Sequence, residues 1–165
     1  MKFIIDFIKS LFMKEKPIEL PVTPIKGPLN PGGLPDEPIK CSKEIPKYSI
    51  TIEDLACAIK KHEGWFIGSR SYRNNSPGNL KFANQLHAIG KDVDNFAIFK
   101  TYEDGWEALM HQLTIACKGG SKIYNPEMTL LEFFQKYDES NPKVYAFAVA
   151  TALKIPLETK MKEFV

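Results

Sequence analysis

The 165-residue chain is short of several things, and each shortage removes a class of protein. It has no run of 18 apolar residues, so no segment is built to cross a bilayer as a helix. Its 22 basic residues face 20 acidic ones, a net charge of only +2. A nucleic-acid binder needs surplus cations to displace phosphate counterions, so that class is set aside. There are three cysteines, Cys41, Cys57 and Cys117, which cannot all pair with one another and which lack metal-ligand spacing. They are expected as free thiols or as small buried apolar residues. His62, His87 and His111 are scattered, and neither a metal nor a cofactor is expected. What is present is ordinary: 44% apolar and 25% charged residues, the balance of a globular protein with length for one domain.

The composition changes along the chain. In residues 1–16, Phe3, Ile4, Phe7, Ile8, Leu11 and Phe12 recur at helical spacing and predict an amphipathic helix. Asp6 and Lys9 interrupt its apolar run and no small-residue cleavage site follows, so a secretory signal fits poorly. That helix either lies on a membrane surface or a partner such as a virion protein, or covers its own domain. Residues 17–47 hold eight of the twelve prolines. Proline removes backbone donors and fixes φ, so this stretch is expected to be an extended linker. Residues 48–165 are expected to be the folded domain, and their charges balance at 14 basic against 14 acidic.

This domain reads as mainly helical. Thr51 with Asp54 is a capping pair, followed by Ile52, Leu55, Ala56 and Ile59 on one face and a stop at Gly64. Phe96-Ala97-Ile98-Phe99 predicts a strand within a small hairpin or three-stranded sheet. Thr101 with Asp104 opens a second helix that ends at Gly119-Gly120, and Thr129 with Glu132 caps a third. Asn141 before Pro142 begins a fourth, because proline suits the first helical turn. A short last helix follows Pro156.

The segment with most chemistry runs from Lys61-His62-Glu63-Gly64-Trp65 to Tyr72-Arg73-Asn74-Asn75-Ser76-Pro77-Gly78-Asn79-Leu80. Glu63 falls at the C-terminal, negative end of the first helix, which disfavours a carboxylate there. Trp65 and Phe66 are expected to shield it from water, which pushes the same way. A carboxylic acid still protonated near neutral pH can protonate the leaving oxygen of a glycosidic bond. The Asn-rich segment is a dense turn whose side-chain amides can also meet sugar hydroxyls and N-acetyl groups, and Tyr72 offers a ring for stacking. From Lys60 to Lys81 there are five cations (Lys60, Lys61, Arg70, Arg73, Lys81) and one acid, a rim suited to an anionic polymer or simply a solvated face.

Taken with the downstream helices, these residues resemble the lysozyme-like superfamily, and within it a phage-type relative of the lytic transglycosylases and goose-type lysozymes. The matching residues are Glu63-Gly64, Tyr72 to Lys81, Phe96 to Phe99, then Gly105, Ala108, Leu109, Thr129 to Glu132 and Asn141 to Tyr145. The likeness spans residues 50–165, with Lys81 where relatives often carry Arg and Ser76 in place of a third Asn. It implies an α+β, mainly helical, two-lobed domain with a small antiparallel β-region beside the cleft. It implies cleavage of the β-1,4 MurNAc–GlcNAc bond of bacterial peptidoglycan by a monomeric domain, in a phage virion or at the host cell envelope. Glu63 maps to the catalytic acid, and Tyr72, Arg73, Asn74, Asn79 and Tyr145 are candidates for substrate binding, although the spacing of Tyr145 also suits a core position.

Between Gly64 and Lys91 there is no Asp or Glu. A second carboxylate would have to come from Asp92, Asp94, Glu103, Asp104 or further on. That shortage favours a one-acid route, the lytic transglycosylase reaction, in which the resemblance implies that the substrate's N-acetyl group assists and the muramic O6 hydroxyl attacks. A hydrolytic muramidase and an inactive glycan-binding virion protein are the alternatives.

Overall fold

The computed structural model describes residues 50–165 except Glu139. The helix expected over residues 1–16 and the linker over 17–47 lie outside them. The elements are α1 (Ile52–His62), α2 (Arg70–Arg73), β1 (Ala88–Lys91), β2 (Ala97–Phe99), α3 (Tyr102–Lys118), α4 (Leu130–Tyr137) and α5 (Pro142–Leu153), closed by a 3-10 turn at Met161–Phe164. The fold is α+β and mainly helical. Among the described residues no helix is long and apolar enough to cross a membrane.

Three helices start where their capping boxes say they should. Thr51, Thr101 and Thr129 each accept from the backbone N–H three residues on, while Asp54, Asp104 and Glu132 reach back to the threonine N–H. Two donors that a helix start leaves unpaired are satisfied at each cap. Thr101→Ala is expected to lower unfolding stability by about 1 kcal/mol, read as a drop of a few degrees in melting temperature. An unchanged melt would mean that the Thr101 cap adds nothing. At α5, Asn141 makes no side-chain cap bond. Asp138 serves instead, with Oδ2 accepting from the Asn141 N–H at 3.3 Å.

The core is one cluster. Leu55 and Ile59 of α1, Leu109 and Leu113 of α3, Phe133 and Phe134 of α4, and Val149 of α5 are all buried in it. Phe99 of β2 and the closing Met161 and Phe164 join them. Helix α1 packs on both α3 and α5, and α4 packs on α5. On α5 the buried face is Tyr145, Ala146, Val149, Ala150 and Leu153, while Val144 and Phe147 turn outward.

The sheet is a two-stranded antiparallel hairpin pairing Ala88 with Phe99 and Lys91 with Ala97, irregular between Ala88 and Gly90. A single bridge from Lys81 to Phe96 extends it without a third strand. One expectation about cysteine fails: Cys57, on α1, is disulfide-bonded. Cys117 is a free buried thiol whose pKa burial pushes up to about 11.

Candidate functional site

A cavity of about 490 Å³ opens beside the end of α1. Glu63 is the C-cap residue of that helix, its N–H still bonded to the Ile59 carbonyl at 2.9 Å. Gly64 follows with φ of 69°, in the left-handed region that glycine tolerates, and turns the chain away. The Glu63 side chain lines the cavity and is largely shielded from water.

Three groups from distant parts of the chain surround this carboxyl. Tyr145 donates its hydroxyl to Oε1 at 2.7 Å. Its ring is buried, stacked on Phe134 at 4.4 Å and under the His62 ring at 3.9 Å. Tyr145's own pKa is raised by burial and by its acidic neighbours, so it remains a proton donor. The Asn79 side-chain amide lies close enough to the carboxyl to favour its charged form. Its Oδ1 is buried with no hydrogen-bond partner in the structure, a cost unless a ligand or solvent N–H or O–H supplies one. Tyr137 is held by donating to the Gly78 carbonyl at 2.6 Å, which ties α4 to the Asn-rich turn.

Burial raises the Glu63 pKa above the usual carboxylate value; the bond from Tyr145 and the Asn79 amide oppose it, the nearby Asp138 adds to it and Arg70 opposes it. The direction is the expected one, but the shield is not. Trp65 packs on Tyr72 and Tyr102 at 5.3 and 5.0 Å, and Phe66 is 63% exposed; neither lines the cavity. The left-handed Gly64 sends both away, and tyrosines from α4 and α5 supply the cover.

The expected binding residues divide. Asn79 and Tyr145 line the cavity, while Tyr72, Arg73 and Asn74 do not. Tyr72 belongs to the Trp65 aromatic cluster, and Arg73 donates to the Gly68 carbonyl at 3.0 Å. Asn74 is buried; its amide donates to Asp92 Oδ2 at 2.9 Å and its carbonyl accepts from the Phe99 N–H. These bonds make Asn74 a brace between turn and hairpin. Asn75 braces the same junction by donating to the Phe99 and Lys100 carbonyls.

Of the five cations, Arg70 and Lys81 reach the cavity. They sit over the Phe96 ring, and Arg70 is ion-paired with Asp92 and Asp94. Lys60 instead is buried among Trp65, Tyr102 and Trp106, bonded to the Tyr102 hydroxyl at 3.0 Å, and burial lowers its pKa.

The remaining lining is what sequence reasoning missed: His62, and Lys136, Asp138 and Ser140 from the end of α4 and the loop after it. Burial lowers the His62 pKa while Asp138 pulls it back. The four carboxylates considered from the sequence are elsewhere. Asp92 accepts from the backbone of Asp94 and Phe96, Asp94 is paired with Arg70, Asp104 caps α3 and Glu103 is exposed beside it. A junction loop between two predicted helices carrying an acid was the available signal for Asp138. Among the described residues no group of three His, Cys, Asp or Glu is placed to hold a metal ion.

Comparison with protein-family models, with curated proteins and with solved structures found no match.

Removing the Tyr145 hydroxyl isolates one of those effects. Tyr145→Phe keeps the ring packing but deletes a bond that favours the charged carboxylate, so the Glu63 pKa should rise further. If Glu63 acts as an acid, the alkaline limb of activity should move to higher pH. The maximal rate should fall by roughly tenfold, the worth of one hydrogen bond to a charged group. A limb that stays in place, or moves down, would show that Tyr145 does not tune the acid.

Proposed function

We propose that this domain cleaves the β-1,4 bond between N-acetylmuramic acid and N-acetylglucosamine in peptidoglycan glycan strands, with Glu63 as the proton donor. What carries the proposal is the setting of one carboxyl: at the wall of a cavity, shielded, held by Tyr145, beside Asn79, with its pKa raised. An acid in that state can protonate the glycosidic oxygen as the C–O bond breaks, and as a carboxylate it can then take a proton from the attacking group. Lys81 and Lys136, cations that line the same cavity, suit an anionic polymer, whose stem peptides carry carboxylates. The unpaired Asn79 oxygen is an acceptor ready for an amide N–H or hydroxyl of a bound sugar.

The test is incubation of the full chain with purified peptidoglycan, with the released fragments separated by chromatography. Release of disaccharide-peptide fragments that depends on Glu63 supports the proposal. Binding of strands without release would instead favour the inactive glycan-binding alternative. The acceptor of the glycosyl group is the muramic O6 hydroxyl in a lytic transglycosylase and water in a muramidase.

A further inference from the structure

We infer that Asp138 is the second carboxylate of this site and activates water, so that cleavage ends in hydrolysis. The inference rests on the proposed glycan cleavage and names water as its acceptor. The preference for a one-acid route came from the lack of an acid between Gly64 and Lys91. The chain reaches the cavity again much later, and there it brings a carboxylate.

Asp138 lines the same cavity as Glu63 but comes from the junction of α4 and α5. Its backbone N–H is bonded to the Phe134 carbonyl at 2.9 Å, so the residue is anchored to the end of α4. Oδ1 accepts from the Ser140 N–H and hydroxyl at 2.9 and 2.7 Å, and Oδ2 accepts from the Asn141 N–H at 3.3 Å. An ionised carboxylate has about four acceptor positions, and these donors fill three. The position left over can hold a water molecule, and Oδ2, with the single long bond, is the freer oxygen. The two carboxyls are also pushed in opposite directions. Burial raises the pKa of Asp138, but the bonds from Ser140 and Asn141 and the nearby His62 outweigh it and leave it below the ordinary range, whereas Glu63 lies above its own. Paired carboxyls in unlike settings are suited to unlike roles, one as acid and one as base.

The step balances as follows. Glu63 gives its proton to the bridging oxygen, and the bond from that oxygen to the anomeric carbon breaks. The water oxygen forms the new bond to that carbon, and the proton it loses goes to Asp138. Exchange of one proton from Asp138 to Glu63 through solvent restores both groups.

Digestion of purified peptidoglycan in water enriched in the heavy oxygen isotope tests this directly. Hydrolysed ends carry one solvent oxygen; ends made by O6 attack are one water lighter and carry none. The unsubstituted chain is expected to release labelled ends. Asp138→Asn keeps an oxygen for Ser140 and should cut labelled ends by about 100-fold or more, with the lighter ends taking a larger share. Should that variant not fold, Asp138→Ser, whose hydroxyl can still cap α5, gives the same readout. A purely structural Asp138 would lower both kinds of end together and leave their ratio unchanged, which overturns the inference. Lighter ends alone from the unsubstituted chain also overturn it while leaving Glu63 as the acid. No release of either end overturns the glycan-cleavage proposal with it.

Discussion

Glu63→Gln is expected to reduce fragment release from peptidoglycan by about 100- to 10,000-fold, the usual worth of a positioned general acid. Stability should not fall with it. Glutamine has the same shape, and its Oε1 can still accept from the Tyr145 hydroxyl. The pH dependence has a definite sign. Because the folded-state pKa of Glu63 is raised, the native chain holds a proton that the unfolded chain releases between the ordinary and the raised value. Stability from this group is therefore full below the ordinary carboxylate pKa, declines as pH rises towards the folded value, and is flat above it. Glutamine does not titrate, so the melting temperature of the variant should gain on that of the parent through this window. Thermal melts at about pH 4 and about pH 8 measure the difference. A variant that still digests peptidoglycan removes Glu63 from the chemistry. A variant whose stability gain shrinks as pH rises contradicts a half-buried carboxyl with a raised pKa.

Helix starts were legible in the sequence because a capping box is a local device, closed within four residues. Thr51, Thr101 and Thr129 each declare a start that no distant contact needs to confirm. The end of α1 was legible for the same reason, since Gly64 takes a left-handed turn directly after Glu63. The position of Glu63 therefore followed from short-range chemistry. Its surroundings did not. The tyrosine that holds Glu63 lies 82 residues away, and the turn that brings Asn79 to it is fixed by Tyr137 on α4. Trp65 looked like the shield because it is adjacent in sequence, yet a single residue with φ of 69° lies between, and adjacency along the chain became separation in space. Asn74 and Asn79 show the same limit. Both are asparagines of one turn, but one faces the hairpin and the other the cavity. Which amide meets a ligand depends on where the turn docks, and that is decided by α3 and α4.

Gly105→Ala is expected to be among the most damaging changes to the fold, against what helix propensity alone would suggest. Gly105 lies in the first turn of α3, where alanine is intrinsically better than glycine by about 1 kcal/mol. A Cβ at that position, however, would stand 1.8 Å from the Asn75 carbonyl oxygen, 2.9 Å from its carbon and 3.1 Å from Pro77 Cδ. The nearest obstacle is main chain, so no rotamer change relieves it. The turn also resists displacement, because the Asn75 amide is fastened to the carbonyls of Phe99 and Lys100. Helix and turn must part, at the upper end of overpacking costs, about 3 kcal/mol or more. After subtracting the propensity gain, a net loss of about 2 kcal/mol or more remains, a large share of the 5–15 kcal/mol that holds a domain of this size together. Gly90→Ala is the control, since a Cβ there meets nothing within 4 Å and should change stability by about 0.5 kcal/mol at most. Denaturant titration compares the two. Because the displaced turn also carries Asn79 towards Glu63, whatever Gly105→Ala protein folds is expected to release fewer peptidoglycan fragments than the parent. Equal stability of the two glycine variants would mean that α3 and the turn do not meet as closely as the backbone places them.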